Sequence, residues 1–183
     1  ALKLLEEHQI DFIVLARFMK ILSPNFVWRW KNKILNIHPS LLPKYRGASP
    51  IESAILNGEK ETGVTIMLMD REMDHGPILA QARLPITNDD TGPALSDKLS
   101  KLGAECVKNT TPDWLSGNLR PIAQDHALAT YTKILKREDG KLSWDKTAAL
   151  LERQIRAYLR WPESHCFCLK IYDSFNVKAL FSK

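Results

Sequence analysis

The chain has 183 residues, enough for one domain and part of a second. Hydrophobic residues make up 44% and charged residues 26%, a globular balance that excludes a disordered chain and a collagen-like repeat. The net charge of +5 is unevenly spread: residues 1–125 carry 15 basic and 15 acidic side chains, whereas residues 126–183 carry 11 and 6.

A neutral body with a basic tail suggests a small-molecule site followed by a segment that meets a polyanion, although basic surfaces also serve solubility alone. No run approaches the ~18 apolar residues of a membrane span. Glu6 and Glu7 interrupt any signal-peptide core, so a soluble, cytoplasmic protein is expected. Cys106, Cys166 and Cys168 cannot all pair and have no second CxxC or His set, which argues against a disulfide framework or a structural zinc site.

Leu2, Leu4, Leu5 and Ile10 fit the end of an amphipathic helix. Phe12-Ile13-Val14-Leu15 is a short apolar strand of the kind buried in a parallel sheet. Ser23-Pro24 opens a helix with a cap and a proline. Ile34-Leu35-Asn36-Ile37-His38 is a second strand, stopped by Pro39. A helix is expected over 50–56, ending at Asn57-Gly58, with strands over 62–69 and 78–84. A long helix starts at Thr91, with Leu95, Leu99, Leu102 and Cys106 on one face. The pattern changes near 118–121. Asp139-Gly140 then reads as a turn, 145–159 as a helix, and 166–183 as strand-like. Strands alternating with helices place the body in the α/β class, with a boundary near residue 125. No GxGxxG or GxxxxGK[ST] motif occurs, so either the fold is different or the chain begins partway through its first domain; the uncapped first helix and unfinished last segment favour the second.

Asn36 and His38 lie two apart on one strand, so their side chains share a face. They sit at its carboxyl end, where open α/β sheets place their ligands. A lone His is commonly a hydrogen-bonded core residue, but two polar groups in an apolar strand both need partners. Asp74, in Met73-Asp74-His75-Gly76-Pro77, fits an Asx turn when taken alone. Together the three suit group transfer: an amide and an imidazole donate to a developing oxyanion, and a carboxylate supports the imidazole. No GxSxG elbow or Cys–His spacing marks a nucleophile. A metal held by His38, Asp74 and His75 fits poorly, because two of those ligands would be neighbours on one turn.

Three segments resemble the folate-dependent formyltransferase family: residues 36–47, Asn-Ile-His-Pro-Ser-Leu-Leu-Pro-Lys-Tyr-Arg-Gly; Gly63-Val64-Thr65-Ile66-Met67; and Met73-Asp74-His75-Gly76-Pro77-Ile78-Leu79. Within the family, the chain is most similar to members acting on initiator tRNA. The cues are Arg46-Gly47-Ala48-Ser49-Pro50-Ile51, Ala129-Thr130-Tyr131, Asp139-Gly140-Lys141-Leu142-Ser143-Trp144, and Arg153-Gln154-Ile155-Arg156-Ala157 before Trp161-Pro162.

The resemblance implies an α/β, partial Rossmann-like domain with a mostly parallel sheet over residues 1–125, lacking the family's N-terminal half-sheet. Residues 126–183 would be a linker and the start of a small OB-like β-barrel that binds tRNA. The implied reaction moves the formyl group of 10-formyltetrahydrofolate to the amino group of methionyl initiator tRNA, for translation initiation, with no metal and a monomeric enzyme. Asn36, His38 and Asp74 match the family's catalytic trio. Asn36 would orient the formyl oxygen, protonated His38 would stabilise the oxyanion, and Asp74 would pair with His38 and assist proton removal. Ser40, Leu41, Leu42 and Pro43 match the loop lining the tetrahydrofolate site. The segment 18–22, with Met19 and Leu22, matches the part that holds the pterin. The alternatives are transfer to a small amine, glycinamide ribonucleotide or an amino-sugar nucleotide, and a nucleic-acid-binding fragment without activity.

Overall fold

A computed structural model describes residues 2–18, 20–166 and, for the backbone alone, 169–171. The elements run α1 (Leu2–Glu7), β1 (Ile13–Ala16), α2 (Pro24–Arg29), β2 (Ile34–His38), β3 (Arg46–Gly47), α3 (Pro50–Leu56), β4 (Glu61–Leu68), β5 (Ile78–Pro85), α4 (Gly92–Leu115), β6 (Tyr131–Thr132), α5 (Ala148–Ala157), β7 (Ser164–Cys166) and β8 (Leu169–Ile171). Among the described residues no helix is long and apolar enough to cross a membrane.

The main sheet has the order β1-β2-β4-β5. The α/β class expected from the sequence stands, and the expected parallel pairing is found, among the described strands, between β1 and β2. β4 runs antiparallel to β2 and to β5. The link from β4 to β5 is too short for the crossover that parallel neighbours need, so these two strands must form a hairpin.

Register divides the sheet by face. Leu35 lies opposite Leu68 and Ile37 opposite Ile66, and this set packs under α4. A Cβ added at Gly103 of α4 would stand 2.9 Å from Ile37 Cγ2, so the helix comes down close to the strand there. Asn36 opposite Met67 and His38 opposite Thr65 consequently face the other side. Leu35, Val64, Ile66, Leu95 and Leu99 are the centre of the core. Burying each such side chain contributes about 1.5–3 kcal/mol.

α4 begins where Thr91 accepts a bond from Ala94 N, as its Thr-x-Pro start predicts. The expected helix over 145–159 is shorter. Thr147 is its N-cap, and Ser143 hydroxyl donates to Asp145 in the turn before it. Ser and Asp compete for such local bonds and so delay the helix. The Asp139-Gly140 turn is the end of a 3₁₀ turn, Arg137–Gly140. Of the strand-like segment 166–183, β7 pairs antiparallel with β8, and residues 172–183 lie outside the described residues.

The chain after α4 returns to β5 and β3. Ile122 bridges Ile78, β6 pairs with β3, and Arg46 N donates to Thr130 O at 2.8 Å.

Candidate active site

β2 ends at His38 because Pro39 cannot donate to the ladder. β1 is parallel to it, with Ala16 beside Ile37, so the loops following both strands leave from one end of the sheet. The loop over residues 39–45 carries Ser40, Leu41, Leu42 and Pro43; the loop over 17–23 carries half-buried Leu22. Met19 lies outside the described residues.

The sheet end brings Asn36, His38 and Asp74 together. Asn36 Nδ2 donates to Asp74 Oδ1 over 3.4 Å, and His38 Nδ1 stands 3.6 Å from the same oxygen. The second distance exceeds a hydrogen bond, so His38 and Asp74 face each other across a gap. His38 Nε2 is 2.9 Å from the carbonyl of Tyr45. A carbonyl can only accept, so Nε2 carries a proton and Nδ1 is the nitrogen turned toward the carboxylate. His38 is buried and Asp74 half-buried, with side chains 5% and 13% exposed, which strengthens their interaction relative to water.

Asp74 sits in the left-handed region at φ +50°, a conformation Asp tolerates better than most residues. Its Oδ2 accepts from Gly47 N at 2.8 Å. Gly76 closes the same turn, where a Cβ would meet Leu68 O at 2.0 Å, so only glycine fits.

The loop wall rests on a polar row read directly from register: His38, Thr65 and Gln81 lie opposite one another on β2, β4 and β5. Thr65 Oγ1 donates to Ser40 O at 2.7 Å and accepts from Leu42 N at 3.1 Å and Gln81 Nε2 at 2.9 Å. Gln81 also donates to Leu42 O at 2.8 Å. Ser40 Oγ donates to Lys44 O, and Leu41 lies against Gly63. Tyr45 hydroxyl donates to Glu59 at 2.6 Å; burial, and then that bond, push it up to about 12, so it stays a donor at neutral pH.

Sequence reasoning did not single out Arg46, Gln124 or His126. Arg46 is 1% exposed and has no carboxylate partner among the described residues. Its Nε and one terminal nitrogen donate to Gln124 Oε1 at 3.2 and 2.6 Å. The same terminal nitrogen is 2.8 Å from His126 Nδ1, and the other donates to Tyr131 hydroxyl at 3.2 Å. A guanidinium accepts nothing, so His126 Nδ1 is the acceptor. His126 in turn stacks on His75, ring centroids 3.9 Å apart, and His75 Nδ1 lies 2.7 Å from Asp70 Oδ2. Only an arginine within an otherwise uncharged Tyr-Arg-Gly-Ala run hinted at this. Among the described residues no group of three or more His, Cys, Asp or Glu side chains could hold a metal.

A fold and site of this kind define a group-transfer domain. The family profile described as formyl transferase matches residues 1–111, and that of the formyl transferase C-terminal domain matches residues 134–178. The chain belongs to the formyl transferase family. It is 49% identical over 133 residues to a methionyl-tRNA formyltransferase of Chloroflexus aurantiacus, covering 73% of this chain and 43% of that protein. To that of Streptococcus equi subsp. equi it is 43% identical over 168 residues, covering 90% and 54%. The chain thus spans about half the length of the curated relatives it matches. Among solved structures, an N-formyltransferase of Helicobacter canadensis, in complex with folinic acid and dTDP-3-aminofucose, superposes with a TM-score of 0.74 at 30% identity. That match covers 82% of this chain and 55% of the other.

Proposed function

We propose that this chain carries the site at which a cytoplasmic enzyme moves the formyl group of 10-formyltetrahydrofolate to the amino group of methionyl initiator tRNA. Residues 1–125 hold the chemistry, and the basic segment 126–183 meets the tRNA. The carrying observation is the convergence of Asn36 and His38 on one oxygen of Asp74 at the end of a parallel strand. The acceptor rests on what the relatives of 40–53% identity are named for.

The residues present suit a folate. The two loops at this sheet end offer exposed Phe18 and Ile21 with part-exposed Leu22 and Leu41, apolar surface for a flat ring. Ser40, Leu42 and Pro43 form a wall beside them that Thr65 and Gln81 keep rigid. When bound, the folate supplies an activated formyl carbon and a nitrogen able to leave with the C–N electron pair.

As the amine adds to that carbon, negative charge grows on the formyl oxygen. Asn36 has a second N–H free to donate to it, and a protonated His38 donates from Nδ1 across the gap that separates it from Asp74. Asp74 takes the proton released by the amine, directly or through water, and the departing nitrogen ends with a proton in place of the formyl group.

His38→Ala is expected to lower transfer by about 10²–10⁴-fold while the chain stays folded. Turnover within tenfold of the unaltered protein overturns the site. A second acceptor, the amine of a sugar nucleotide, is favoured by the likeness to the Helicobacter canadensis structure. Offering charged initiator tRNA and amino-sugar nucleotides in parallel separates the two: formyl on the sugar alone sinks the tRNA reading.

A further inference from the structure

The linker residue Gln124 reaches the back of the catalytic turn. It is 5% exposed, and its Nε2 donates to the carbonyls of Asp74 at 2.9 Å and Gly76 at 2.7 Å. Its Oε1 takes both bonds from Arg46. The amide has only one orientation open to it, because a guanidinium has nothing but donors and two carbonyls have nothing but acceptors. Arg46 is itself fixed by burial, by His126 and by Tyr131, and it immediately precedes Gly47, whose N–H holds Asp74 Oδ2.

We infer that Gln124 is a positioning residue for the transfer reaction: oriented by Arg46, it locks the Asp74 turn so that the carboxylate faces Asn36 and His38. This rests on the function proposed above. Asp74 needs such support. Its backbone is in the left-handed region at φ +50°, which most L-residues avoid. Its carboxylate contacts Asn36 and His38 at distances where a small rotation ends the interaction. With the Asp74 and Gly76 carbonyls pinned and Gly47 on the carboxylate, the turn has little freedom left. The lock comes from residue 124, fifty positions away, so the segment joining the two family domains is part of the site.

Gln124→Glu tests this. The replacement keeps the oxygen that pairs with Arg46 and sets a second oxygen against the two carbonyls, which releases the turn. The expected result is a kcat lower by about ten- to hundredfold, with KM for the formyl donor within about twofold. Should the buried carboxylate unfold the chain, Gln124→Met, similar in length and without the N–H groups, is read in the same way. Ser49→Ala is the comparator. It removes a 2.9 Å bond from the same segment, to Lys133 O, without reaching Asp74, and should leave kcat within twofold. A Gln124→Glu kcat within twofold of the unaltered protein, or equal losses in Gln124→Glu and Ser49→Ala, overturns the inference. His38→Ala, assayed alongside, separates the two failures: if it too is harmless, the function reading is wrong, not only the lock.

Discussion

Among the buried charged side chains, Arg46 and Asp90 are stabilised in different ways. Arg46 is surrounded by neutral acceptors, so its charge is compensated by hydrogen bonds and an aromatic ring, with the Tyr131 centroid 5.8 Å away. Asp90 meets a cation. Burial opposes ionisation there, but Lys98 at 2.7 Å and the N–H and hydroxyl of Thr87 more than offset it and hold the carboxyl below its usual range. A depressed carboxyl contributes stability that is present above the unfolded value of about 4 and is lost as pH falls through the lower folded one. Asp90→Asn should therefore cost about 2 kcal/mol at pH 7. The gap between the two unfolding curves should begin to close below about pH 4 and vanish once pH falls past the lower folded value; a gap that persists in acid would mean the charge was not its source.

The residues of the trio were legible because each lies in a short local pattern: Asn-x-His at a strand end, Asp-x-Gly in a tight turn. Gln124 was not, since nothing in Ile-Ala-Gln-Asp marks it until the linker is laid against the turn it holds.

At the scale of elements, caps and register carry the argument. Thr147 Oγ1 accepts from Leu150 N and so starts α5, which brings Leu151 and Ile155 into a second small core. α5 also presents Arg156, which donates to Asp90 O at 2.7 Å and ties the helix to the start of α4. Thr147→Ala should destabilise the chain by about 1 kcal/mol, a loss of roughly 2–4 °C in Tm. No measurable shift would show that tertiary packing alone holds that end. The strand and helix order was readable from periodicity. The antiparallel course of β4 was not, because every position from Thr62 to Leu68 is buried and an all-buried strand has no period from which to infer sense or face.

At the scale of the whole molecule, the charge asymmetry and the return of the linker belong together. The basic excess lies in residues 126–183, which begin beside the candidate site, so a polyanion held there would be brought to the turn of Asp74. Lys136, Arg137 and Lys141 are exposed. Changing all three to Gln should weaken tRNA binding and make the slope of log affinity against log salt shallower by about 2–3. An unchanged slope would remove these cations from the binding surface.

The sequence by itself determined what local chemistry can determine: the α/β alternation, the helix starts at Ser23 and Thr91, and three polar residues whose types and spacing suit group transfer. Those features depend on neighbours within a few positions, through periodicity, caps and turns. Only the tertiary structure decided that Thr65 and Gln81 brace the loop, that buried Arg46 donates to Gln124, and that Gln124 grips the turn of Asp74. Each of these is a hydrogen bond between residues tens of positions apart, and its partners become visible only once the chain has folded back on itself.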